Sequence, residues 1–180
     1  KDVFVPLHER ANIANKNHAD IFISIHTNAI EGSRSIRGFE TYTMGMRRAD
    51  EKLSAAQREN SVITIEDNYQ QRYAGYDPSS PESEIMFEFI NDKNMEQSVN
   101  LAKEMQKNVC AAKGRQNGGA HQANLAVLRL STMPGCLVEL GFISTPDEER
   151  FLNSPEAVGL YSRGMMNAFN AYRGMYNKIV

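Results

Sequence analysis

FISIHTNA, residues 22–29, decides how this chain is read. With Ile21 before it, an apolar, largely β-branched run leads into His26 and then the polar pair Thr27–Asn28. Such residues suit a strand, and so continuous an apolar run suits a strand covered on both faces. A strand ending on histidine presents that side chain where open α/β sheets bind ligands, outside the carboxyl ends of their strands. A lone histidine there serves as a satisfied structural group as readily as a ligand. The rest of the chain has to decide.

Upstream, Pro6 suits the first turn of a helix, with Leu7, Ala11, Ala14 and His18 at helical spacing on one face. Downstream, residues 37–44 alternate as a second strand, with Phe39, Thr41 and Thr43 on one side and Glu40, Tyr42 and Met44 on the other. From about 45 to 81 the chain turns polar and charge-rich, an insertion whose first half, 48–65, can form a helix. Residues 82–112 carry a 3.6-residue apolar period from Ile85 to Val109 and predict a long helix that ends in the glycines of KGRQNGGA. LAVLRL, 125–130, predicts a third strand, and CLVELGF, 136–142, a fourth. Thr145–Pro146–Asp147–Glu148 has the pattern of a capping box. Ser154–Pro155 opens a last helix, with Tyr161, Met165, Phe169 and Tyr172 on its core stripe. Strands alternating with helices predict an α/β fold: a mostly parallel central sheet with helices on both faces.

The 180 residues suffice for one domain with a core. A net charge of −2 offers no electrostatic footprint for nucleic acid, and no apolar run is long enough to span a bilayer. Cys110 and Cys136 form no disulfide framework and are expected as buried or half-buried thiols. The chain opens at Lys1 with KDVFVPLHERANIAN, which reads like the middle of a domain and sets the expectation of an N-terminal truncation.

Glu139 sits among Leu137, Val138, Leu140, Gly141 and Phe142. A carboxylate in so apolar a strand is costly unless paired, hydrogen-bonded or bound to a metal; a salt bridge or a solvated strand end would satisfy it as well. Placed at matching strand ends, His26 and Glu139 suggest a metal beside a base. A zinc hydrolase also needs three protein ligands and an open water position, which two residues do not supply.

SIHTNA and VELGFIST, with GFETY, QANLAVLR and the order in which they fall, resemble the zinc-dependent N-acetylmuramoyl-L-alanine amidases of the Amidase_3 type. Thr145 stands where that family's motif has asparagine. The resemblance covers about 1–44 and 115–175. It implies hydrolysis of the amide between N-acetylmuramic acid and L-alanine in peptidoglycan, with Zn2+ as cofactor, His26 as a zinc ligand and Glu139 as the catalytic carboxylate. The family's other histidine and glutamate ligands belong to motifs upstream of residue 1. The chain is therefore expected to lack the family's first two strands and first helix, and by itself to bind zinc weakly and turn over poorly. Asn28 and Arg129 are the implied substrate contacts. Some amidases of this type carry, in the region of the 45–81 insertion, a helix that covers the site until an activator of the division machinery removes it; Glu59 and Glu66 are the candidate autoinhibitory residues. His8 is expected to be solvated, His18 to complement a helix dipole, and His121 to lie in a loop near the site mouth. The implied setting is the cell envelope, periplasmic or extracellular. Two rivals remain: an inactive cell-wall binding or regulatory protein, and a zinc peptidase acting within the stem peptide.

Overall fold

In this computed structural model the described residues are 2–45, 53–73, 94–111 and 115–176. The elements are α1 (Leu7–Lys16), β1 (Phe22–Asn28), β2 (Phe39–Thr43), α2 (Leu53–Asn60), a 3₁₀ turn (Ser61–Ile65), α3 (Tyr69–Arg72), α4 (Met95–Cys110), β3 (Asn117–Gln122), α5 (Ala126–Arg129), β4 (Gly135–Phe142), α6 (Pro146–Leu152) and α7 (Pro155–Tyr176). The four strands form one sheet in the order β1–β4–β2–β3. β1 pairs parallel with β4 and β2 parallel with β3, while β2 and β4 run antiparallel. The expected α/β fold with a mostly parallel sheet is therefore present.

Side-chain alternation sorts the two faces. Leu137 and Tyr42 point to one, where Leu7, Ala56, Ile63, Tyr73, Leu125 and Leu128 complete a core under α1, α2, α3 and α5. Cys136, Val138 and Phe39 point to the other, where Leu101, Met105, Val109, Leu160, Tyr161 and Ala168 pack from α4 and α7. Helices thus cover both faces, and β4 is buried along nearly its whole length. Cys136 is fully buried, which pushes its thiol up to about 12, and Cys110 is half-buried. None of the described helices is long and apolar enough to cross a membrane.

α4 and α7 meet at Gly164, where a Cβ would lie 2.9 Å from Val109 Cα and 3.0 Å from Val109 Cγ2. Gly164→Ala gains about 1 kcal/mol of helix propensity but overpacks the contact at about 1–3 kcal/mol. The expected net result is a lower urea midpoint, a loss on the order of 1 kcal/mol.

Three local expectations are corrected. The third strand is not 125–130 but Asn117–Gln122; Ala126–Arg129 is a single helical turn. Leu125 to Leu128 are all buried, and one apolar turn satisfies such a short run as well as a strand does. The glycines are what the edge strand requires, because a Cβ on Gly118 would come within 2.4 Å of Glu40 Cγ and 2.9 Å of the Phe39 carbonyl. The Thr145 box does not close: the Thr145 hydroxyl donates to the Ile36 carbonyl at 2.7 Å, and Glu148 is bound by Arg115. His8 is not solvated but packs edge-on against Tyr73, 3.5 Å from Glu66. The long helix is seen over Met95–Cys110; its expected first part, 82–93, lies outside the described residues, as do 46–52 and 74–81 of the insertion.

Candidate active site

β1 and β4 run side by side with His26 directly opposite Glu139. Both side chains face the side of the sheet covered by α2, as the core positions Phe22 and Leu137 do. The register slips by a residue after His26, so that Asn28 pairs with Phe142; such irregularities re-aim side chains at strand ends. Antiparallel to β4, β2 sets Glu40 against Glu139 from the opposite flank.

α2 closes the face. From it, Glu59 Oε2 lies 2.5 Å from His26 Nδ1. The other ring nitrogen, Nε2, is 2.9 Å from Ser24 Oγ. Next to Glu59, Arg58 Nη2 donates to Asn28 Oδ1 at 3.1 Å, and Asn28 is buried beneath it. On the floor, Tyr42 donates its phenol to Glu40 Oε2 at 2.8 Å.

Glu139 is 2% exposed, and its Oε2 is buried with no hydrogen-bond partner. Its carboxyl is pushed up to about 9, first by burial and then by the charge of Glu59, a hydrogen bond with Glu59 and the charge of Glu40, with Arg58 opposing them. Carboxylates packed this close, Glu139 between Glu59 and Glu40, are repulsive unless protons or a cation intervene. Ligand atoms of His26, Glu59 and Glu139 lie within 4.8 Å of one another. One imidazole nitrogen and two carboxylate oxygens form a donor set that suits zinc, and the unpartnered Glu139 oxygen is what a cation would satisfy. The residues present therefore fit a metal.

Of the residues singled out from sequence, His26, Glu139, Asn28 and Glu59 come together here. Arg129 closes α5, half-buried, on the same face of the sheet. Glu66 does not reach this cluster: its carboxylate accepts the Leu7 N–H and the Tyr73 hydroxyl at the start of α1. His121 lies within β3 rather than in a loop, with Nε2 2.8 Å from the Gly118 carbonyl and its ring against Tyr42. His18 is exposed just past the end of α1, in the left-handed region. Sequence reasoning missed Glu40, although the argument that marks Glu139 applies to it equally: a carboxylate between buried neighbours in a strand covered on both faces. Ser24 and Arg58 were also missed, and neither carries a local signal.

Comparisons with known proteins identify the family and the fold. The amidase AmiA of Escherichia coli K12 is 26% identical over 158 residues, covering 85% of this chain and 52% of AmiA. AmiC of Neisseria meningitidis serogroup B is 31% identical over 160 residues, covering 86% of this chain and 36% of AmiC. The chain thus spans about half of the first relative and about a third of the second. The crystal structure of an N-acetylmuramoyl-L-alanine amidase from Clostridium difficile 630 shares the fold, with a TM-score of 0.68 at 22% identity over 98% of this chain and 69% of that one. The Amidase_3 family model, described as N-acetylmuramoyl-L-alanine amidase, matches residues 1–170. The chain belongs to the Amidase_3 family of N-acetylmuramoyl-L-alanine amidases.

Proposed function

We propose that this chain is catalytic machinery of a peptidoglycan hydrolase that cleaves the amide between the lactyl group of N-acetylmuramic acid and L-alanine. The observation that carries the reading is the register pairing of His26 with Glu139, whose buried carboxylate keeps one oxygen unpartnered. Zinc, when bound, supplies a Lewis acid for the scissile carbonyl and a water acidic enough to ionise near neutral pH. His26 holds the ion through a ring nitrogen. Glu139 takes the proton from the attacking water and passes it to the departing L-alanine nitrogen. Asn28 orients the substrate amide, and Arg129 pairs with a carboxylate of the stem peptide.

Glu59 occupies the place of the substrate. Its carboxylate sits on His26 Nδ1, and its neighbour Arg58 occupies Asn28, so α2 is the closed form of the site. An activator that lifts α2 completes the mechanism, which operates in the cell envelope, periplasmic or extracellular, where the polymer lies.

The test is to incubate the full-length protein with muropeptides, with and without chelator, and weigh the products. Free peptide with an intact L-alanine amine, lost on chelation, is the expected result. Shortened stem peptides would identify a peptidase instead. An absence of products, even from Glu59→Gln, would identify a binding protein. Glu59→Gln is expected to raise turnover about 10-fold, since it removes one charge-assisted contact from the closed form.

A further inference from the structure

We infer that residues 53–73 form a latched arm whose positioning residues, Asn60 and Glu66, set how firmly Glu59 closes the His26–Glu139 site. The inference rests on the reading of Glu59 as the group that closes the site.

The arm comprises α2, the 3₁₀ turn and α3. Its hydrophobic attachment is modest: among its described side chains Ala56, Ile63 and Tyr73 are buried apolar groups, Val62 and Tyr69 pack partly buried against the same core, and Ile65 is 73% exposed. A segment held by few buried apolar contacts opens locally at less cost than the whole domain unfolds. Two buried polar clamps supply the rest.

The first clamp follows Glu59 directly. Asn60 is 1% exposed. Its Nδ2 donates to the Asn124 carbonyl at 2.7 Å, and its Oδ1 accepts the Ala126 N–H at 2.8 Å. Both ends of the carboxamide are thus bound to the chain entering α5.

The second clamp lies at the start of α1. Helix N-termini leave N–H groups without intrahelical partners, and Pro6, at the N-cap of α1, offers no side-chain acceptor. Glu66, whose side chain is fully buried, fills that role from 59 residues away: Oε1 accepts the Leu7 N–H at 2.7 Å. Its Oε2 accepts the Tyr73 hydroxyl at 2.8 Å, and that hydroxyl accepts the His8 N–H at 3.2 Å. α1 leads through a short turn into β1 and His26. Seating the arm and capping the helix that precedes the metal-ligating strand are therefore one event. Lifting the arm leaves the first turn of α1 without its cap.

The experiment uses the full chain and two readouts independent of turnover. One is amide hydrogen exchange, followed on peptides covering 56–66 and, as a control on the scaffold, α4. The other is the rate at which cobalt(II) enters the site, followed by its visible absorption. Glu66→Ala is expected to speed both exchange at 56–66 and cobalt entry by about 10- to 100-fold, the range for losing a hydrogen bond to a charged group, with α4 unchanged. Tyr73→Phe, which keeps the ring, moves the same two readouts in the same direction by less. Glu59→Gln speeds cobalt entry but leaves exchange at 61–66 as in the parent.

Unchanged protection at 56–60 in both Glu66→Ala and Tyr73→Phe would overturn the latch. If Glu66→Ala also loosens α4, the milder Tyr73→Phe decides alone. If the arm opens in Glu66→Ala while Glu59→Gln leaves cobalt entry unchanged, the latch stands and the reading of Glu59 falls.

Discussion

Replacing Glu139 by glutamine lowers amide hydrolysis by about 10²–10⁴-fold, the range for a general base, and stabilises the metal-free protein at pH 8. Both effects come from one property. Glu139 is buried opposite His26 and beside Glu59 and Glu40, so its ionised form is disfavoured until a cation or the reacting water arrives. Glutamine keeps the shape, cannot accept the proton and removes a charge that the empty site resists. The loss appears in turnover and not in the circular dichroism spectrum. The gain appears as a higher urea midpoint in the presence of chelator. A Glu139→Gln protein that keeps full turnover would remove Glu139 from the mechanism.

The pH dependence has a definite sign. The folded-state pKa of Glu139 is raised to about 9, so between the ordinary carboxylate range and that value the folded protein holds a proton that the unfolded chain has released. Stability of the metal-free protein therefore falls as pH rises through this window. A divalent cation displaces the same proton, so its apparent affinity rises over the same range. Urea titrations from pH 5 to 9 should fall with rising pH in chelator and lose that slope at saturating zinc, and Glu139→Gln should flatten the first.

How far the site was legible follows from where its information lies. His26 and Glu139 were visible because each violates the apolar character of its own strand, a local signal. Glu59 and Glu66 were equal candidates, and only the structure separates them. Seven residues apart in one unbroken helix, they would share a face, since two α-turns span about seven residues. The 3₁₀ turn at Ser61–Ile65 winds more tightly, and the chain leaves it in extended conformation at Glu66 itself, with φ −83° and ψ 141°. Glu66 consequently turns to α1. Strand β3 was illegible because its glycines answer to the bulk of Glu40 on a neighbouring strand, which no local pattern reports. Strands β1 and β4 were legible because a near-continuous apolar run is itself the record of burial on two sides.

Arg115→Met lowers stability by about 3–5 kcal/mol, the cost of leaving a buried charge without its partner. Arg115 lies in the KGRQNGGA stretch read only as a helix end, yet its side chain is 4% exposed and that of Glu148 6%. Nη1 donates to Glu148 Oε1 at 2.6 Å and Nη2 to the Leu140 carbonyl at 2.8 Å. The guanidinium lies 5.1 Å from the Phe151 ring and 5.6 Å from that of Tyr161, at cation–π range. The carboxylate also accepts the backbone N–H groups of Gly38 and Phe142 at 3.2 Å each. The pair thus ties the entrance of β2 to the exit of β4, three residues past Glu139. Burial alone would push the Glu148 carboxyl up, but the hydrogen bonds from Arg115, Gly38 and Phe142 outweigh it and hold it below the ordinary value. The stability that Glu148 contributes is therefore present above the ordinary carboxylate range and lost as pH falls through its lowered folded value, an acid window distinct from that of Glu139. Arg115→Met leaves the carboxylate buried with only its N–H donors. Adding Glu148→Leu removes the stranded charge and is expected to recover part of the loss, short of the parent because the Gly38 and Phe142 N–H groups lose their acceptor. A double variant no more stable than Arg115→Met would assign the loss to the cation–π packing instead.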